Sequence, residues 1–130
     1  MDIVIDTSAL IAVIVDEPER GKIIELTTGN TLIGPGSIKW EIGNAFSSMF
    51  KQNRFDLDEA KKGLTIFSSI PLRFIETDFF NSISFAKQAN MYAYDAYFLD
   101  CAIRHSAPLL TLDRRLKDTA QKLGIKTMEV

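Results

Sequence analysis

Four acidic residues occupy positions where an acid can do chemistry: Asp6 in MDIVIDTSAL, Glu41 in SIKWEIGNAF, Asp95 in YAYDAYFLDCAIRHSA and Asp113 in PLLTLDRRL. Asp6 and Asp113 each end an apolar, strand-like run and are followed at once by a helical pattern. Open parallel sheets bind ligands outside the carboxyl ends of their strands, so these two carboxylates share an edge if their strands are neighbours. On a helical wheel at roughly 100° per residue, Asp95 falls on the stripe of Leu99, Ala102 and Ile103. Glu41 lies in the first turn of its helix, flanking the stripe of Ile38, Ile42, Ala45 and Met49. Each acid taken alone also has a structural explanation. Asp6, Asp95 and Asp113 suit helix N-caps, and Glu41 suits a solvated first turn beside the helix dipole. Asp100 points away from Asp95 and pairs with Arg104 at the i,i+4 spacing.

Four carboxylates held close together repel one another and bind protons more tightly unless positive charge neutralises them. A divalent cation resolves that conflict. Oxygen-only donors suit Mg²⁺ or Mn²⁺, which keep several waters and accept substrate phosphates, whereas zinc favours His and Cys ligands that this chain lacks. The chemistry that follows is metal-assisted hydrolysis at phosphorus, with a bound water as nucleophile. The single histidine, His105, excludes a two-histidine acid–base ribonuclease mechanism. Ser8 has no nucleophile-elbow context, and no phosphate-binding P-loop is present.

The elements that must position these acids follow from pattern. Strand-like runs occur at DIVI, TLIG, LRFIE, PLLTL and IKTMEV, with helical patterns between them. That alternation predicts an α/β fold with a mainly parallel sheet. Pro18 suits a helix's first turn, Ser37 and Asp56 precede amphipathic runs, and Gly124 closes a last short helix before a final strand. No repeat, low-complexity tract or linker interrupts the chain, so residues 1–130 are expected to form one domain.

A hydrophobic share of 46% with 25% charged residues fits a soluble globular protein, and a net charge of −2 argues against nucleic-acid binding by bulk electrostatics alone. Any such function needs a metal or a local basic rim. Cys101 is the only cysteine, ALIAVIV is too short to span a membrane, and Asp2 stands where a signal peptide carries positive charge. A cytoplasmic location without a membrane partner is the expectation.

The segments VIDTSAL, WEIGNAF, YAYDAYFLDCA and LLTLDRRL together resemble the four acidic motifs of PIN-domain ribonucleases, particularly the VapC-type toxins of prokaryotic toxin–antitoxin pairs. The resemblance implies a three-layer α/β/α sandwich, Mg²⁺- or Mn²⁺-dependent endoribonuclease activity on RNA, a homodimer, and a cognate antitoxin that blocks the site. Matched motif by motif, Asp6, Glu41, Asp95 and Asp113 become the catalytic and metal-binding acids, with Asp6 and Asp95 the direct ligands. Ser8, Asn44 and Thr111 match supporting polar positions.

Lys39, Arg114 and Arg115 neighbour the acids in sequence and can border the centre with positive charge, or serve as ordinary surface residues. Tyr92, Tyr94 and Tyr97 suit core packing, a dimer interface or stacking on unpaired bases. Trp40 falls opposite the Ile42, Phe46 and Met49 stripe and is expected to be exposed, meeting a second subunit or the antitoxin. Two rival readings stand beside this one. A haloacid-dehalogenase-like phosphatase also starts with a strand ending on aspartate, but Ser8 stands where its second acid belongs. A catalytically silent PIN-like module binding RNA or protein would not need the intact acid set.

Overall fold

The computed structural model describes residues 1–130. Its elements run β1 (Asp2–Ile5), α1 (Thr7–Ile14), α2 (Arg20–Thr27), β2 (Thr31–Pro35), α3 (Ile38–Lys51), α4 (Leu57–Ser69), β3 (Leu72–Ile75), α5 (Phe79–Ala89), α6 (Ala93–Arg104), β4 (Leu109–Leu110) and α7 (Arg114–Lys122). The four strands pair in the order β3-β2-β1-β4, all parallel, and the seven helices complete a three-layer α/β/α fold. The central strand β1 is apolar on both sides because both its faces are covered: Ile3, Val4 and Ile5 are all buried. On one side α1 packs with α2, α3 and α4; α6 lies on β1 and β2 and carries α5 against it.

Helix α6 shows how the pattern produces the layer. Phe98, Leu99, Cys101 and Ala102 bury one face, and a side chain the size of Phe98 or Leu99 contributes roughly 1.5–3 kcal/mol on full burial. Asp56 caps α4 through a reciprocal capping box with Glu59, and Asp78 caps α5 by accepting from the Asn81 amide. Gly124, at φ +78°, takes the left-handed turn that ends α7.

Register decides what meets at the sheet edge. Ile5 pairs with Leu110, and the Asp6 amide donates to the Leu110 carbonyl at 3.1 Å, so Asp6 and Thr111 emerge side by side. β1 and β4 are neighbours, the condition under which Asp6 and Asp113 share an edge.

Three local expectations are corrected. The run IKTMEV forms no strand: only Thr127 bridges to Leu109. Pro18 sits in the turn before α2, whose N-cap is Glu19. Ile103 is exposed, because the buried face of α6 runs through Phe98, Leu99 and Ala102 and the helix has turned away by its last residues.

Candidate active site

Asp6 is 4% exposed at the carboxyl end of β1, and its side chain is fully engaged. Oδ1 accepts from the Ala9 amide at 3.0 Å and from Ser8 Oγ at 2.7 Å, while Oδ2 accepts from Thr111 Oγ1 at 2.5 Å. It therefore caps α1 and also faces the site. The neighbouring hydroxyls are used elsewhere: Thr7 Oγ1 donates to Glu41 Oε1 at 3.2 Å, and Ser8 Oγ donates to Asp6.

The two hydroxyls expected to support the acids form a bridge between the ends of β1 and β4. Ser8 Oγ donates to Asp6 and accepts from the Leu112 amide at 3.0 Å. Thr111 Oγ1 donates to Asp6 and accepts from the Asp113 amide at 2.9 Å. Asp113 caps α7 by accepting from the Leu116 amide at 3.1 Å. Glu41, in the first turn of α3, is held at both oxygens, Oε1 by Thr7 and Oε2 by Ser37 Oγ at 2.8 Å. Asp95 is not an N-cap, since Tyr92 takes that place; it stands in the first turn of α6 with a carboxylate that receives no hydrogen bond from the chain.

Asp6, Glu41 and Asp95 each feel the charge of a neighbouring acid. Burial pushes the Asp6 carboxyl up to about 6 against the hydrogen bonds that oppose it, and the charge on Asp113 adds to the rise. Burial pushes Glu41 up to about 7, with the charges on Asp6 and Asp95 adding to it. Asp95 is raised by burial and by Asp113, and lowered by the Arg115 guanidinium. Arg115 is fixed there by a 2.7 Å bond from Nη2 to the carbonyl of Asn90, a left-handed residue ending α5.

The remaining sequence candidates divide. Arg114 is exposed and forms no bond to an acid. Lys39 lies over the Phe74 ring at 4.6 Å, a cation–π contact that draws it toward β3. Asn44 is exposed on α3, one turn beyond Glu41, and its side chain reaches none of the acids. Ser37 was read from the sequence only as a helix start; its role as a Glu41 donor is the i,i+4 spacing of a hydroxyl and an acid on one helix.

Oxygen-only donors, mutual repulsion and an open Asp95 carboxylate suit a hard divalent cation. No three His, Cys, Asp or Glu side chains lie close enough to form a cage. In chemistry alone, an all-carboxylate donor set is the kind that Mg²⁺ accepts with waters completing its shell.

The family profile for the PIN domain matches residues 3–122. A comparison with curated proteins finds no match. Among solved structures, the chain is similar to PAE2754 from Pyrobaculum aerophilum, with 21% identity, 98% of this chain and 83% of that one covered, and a TM-score of 0.74. It is similar to VapBC2 from Rickettsia felis, solved with a DNA fragment from their promoter, with 19% identity, 98% of each chain covered and a TM-score of 0.69. It is also similar to VapC20 from Mycobacterium tuberculosis, a sarcin-ricin loop cleaving toxin, with 12% identity, 89% and 93% coverage and a TM-score of 0.62. At these identities the structures establish the shared fold, while the profile spans nearly the whole sequence. The chain belongs to the PIN domain family.

Proposed function

We propose that residues 1–130 form one PIN unit that is a metal-dependent endoribonuclease, the VapC-type toxin of a toxin–antitoxin pair. What supports this reading is the hydroxyl bridge of Ser8 and Thr111, which sets Asp6 beside the start of α7 and Asp113, with Thr7 tying Glu41 to the same end of β1. The likeness to VapC20, a sarcin-ricin loop cleaving toxin, and to VapBC2 supports the choice of substrate and of an antitoxin partner. A second copy of this chain completes the set of partners the family reading brings.

Asp6 and Asp95 would hold Mg²⁺ or Mn²⁺ directly, and Glu41 and Asp113 would act through its waters or bind it directly. When bound, the ion supplies a water of lowered pKa and charge stabilisation for the leaving oxygen. The chain's own residues do the positioning. Ser8 and Thr111 fix both Asp6 oxygens, and Thr7 and Ser37 fix those of Glu41, so neither carboxylate has to reorganise on binding. Arg115 places a cation beside Asp95, where an RNA phosphate must approach an otherwise negative centre.

The test is RNA cleavage in Mg²⁺ or Mn²⁺, with EDTA controls and Asp6→Asn and Asp95→Asn purified identically. Divalent-dependent cutting lost in both variants is expected. Cutting that survives both substitutions removes the proposed site, and phosphate release from small monoesters without RNA cutting favours a phosphatase.

A further inference from the structure

Beside the acidic centre, a groove of about 470 Å³ lies between the first turn of α3, the segment joining β3 to α5, and the start of α6. Trp40, Phe79, Tyr94 and Tyr97 supply its aromatic walls, and Ser37, Glu76 and Thr77 its polar groups. Trp40 is 73% exposed and Tyr94 54%. Tyr97 holds Phe79 and Tyr94 edge-on, at centroid distances of 5.8 and 5.9 Å and interplanar angles of 87° and 89°. The groove adjoins the acidic centre through Ser37, which lines it and also donates to Glu41.

The polar side of this groove is pinned from beneath. Asp100, 1% exposed, accepts from the Asp78 amide at 3.2 Å and from Arg104 Nε at 3.0 Å. Arg104 Nη2 donates in turn to the Glu76 carbonyl. Both flanks of Thr77 are thereby tied to α6, the helix that carries Tyr94 and Tyr97. Desolvating a carboxylate is costly, and here the pair fixes two walls of the groove relative to each other.

We propose that this groove receives an unpaired nucleobase of the RNA next to the scissile phosphate, stacked on Trp40 and Tyr94, with the Glu76 carboxylate accepting from the N–H donors on the base edge. The inference rests on the endoribonuclease reading and names how that site holds its substrate. Unpaired bases are recognised by stacking on aromatic faces combined with hydrogen bonds to their edges. A carboxylate selects donor-bearing edges, and guanine, with two adjacent N–H donors, fits Glu76 best. Arg104 fixes the Glu76 main-chain carbonyl, which leaves the exposed Glu76 side chain at the polar side of the groove free to turn toward a base edge.

Trp40 is the only tryptophan, so its fluorescence reports the groove directly. The full chain in EDTA, where no cleavage occurs, is titrated at low salt with a single-stranded RNA oligonucleotide and with the same strand annealed to its complement. Quenching by the single strand but not the duplex is expected. Anisotropy of the labelled strand should show roughly 10-fold weaker binding for Trp40→Ala and Tyr94→Ala, with Trp40→Phe retaining most of the affinity. Glu76→Gln should narrow the preference for guanine-rich over uridine-rich strands. Asp6→Asn separates this proposal from the one it rests on, since it is expected to abolish cleavage while leaving the quenching intact. Quenching without any cleavage by the native chain sustains the groove and overturns the enzyme reading. Cleavage with unquenched Trp40 and neutral Trp40→Ala and Tyr94→Ala overturns the groove. So does a concentration-dependent dimer with blue-shifted Trp40 emission that RNA leaves unchanged, which assigns this face to a second copy.

Discussion

Replacing Asp6 by asparagine should make the protein more stable at neutral pH while removing its activity. Asparagine keeps an Oδ1 that accepts from Ala9 and Ser8, and Thr111 can turn its hydroxyl from donating to accepting. What is lost is a charge that burial opposes. The Asp6 carboxyl rises from 3.8 to about 6 on folding, which corresponds to roughly 3 kcal/mol of destabilisation once the group is ionised. Between those two values the folded chain holds a proton that the unfolded chain releases. Stability therefore falls as pH rises through that window and stays level above it. Weaker neutral hydrogen bonds offset about 1 kcal/mol or more of the gain, leaving ~1–2 kcal/mol, or roughly 4–8 °C in Tm for a domain of this size. Thermal and urea unfolding at pH 7.5 and pH 4 provide the assay. The gain should be present at the higher pH and absent at the lower, where native Asp6 is protonated. Divalent cation should narrow the difference at neutral pH: at ten times Kd it adds about 1.4 kcal/mol to the native chain and less to the variant. Equal destabilisation by Asn at both pH values would refute the claim that the Asp6 charge is held against desolvation.

Other expectations concern neighbouring groups. Glu41, pushed up to about 7 chiefly by burial, loses its proton across neutral pH; Mn²⁺ affinity measured by calorimetry should climb between pH 6 and 8 by more in the native chain than in Glu41→Gln. Arg104→Ala leaves Asp100 buried without its cation and should cost about 3 kcal/mol in urea unfolding. Asp100→Ala should cost less, because Arg104 can reach water. Burial first, and then the Asp100 charge, push the Cys101 thiol up to about 12. Its reaction with a thiol reagent at pH 8 should be at least about 100-fold slower in the folded protein than in urea.

What could be read from the sequence follows the range of the interaction. Asp6 and Asp113 were visible because a strand ending on an acid is a local pattern, and the sheet order then had only to make β1 and β4 neighbours. Asp95 and Glu41 were visible through helical periodicity. The resemblance marks Ser8 and Thr111 as supporting positions, but which acid oxygen each one holds depends on register. Thr111 meets Asp6 across 105 residues, and nothing near either residue announces the contact. Lys39 shows the same limit, since its proximity to Glu41 on α3 says nothing of Phe74 on β3. The absent last strand belongs to this argument. IKTMEV has the composition of a strand, but its potential partner β4 offers it little beyond Leu109, which accepts from the Met128 amide and donates to the Lys126 carbonyl. One step further along, Thr111 is committed to Asp6 and Asp113, and the chain turns into α7. β4 is only two residues long and the chain leaves it for α7, so a further strand finds no length of partner to pair with.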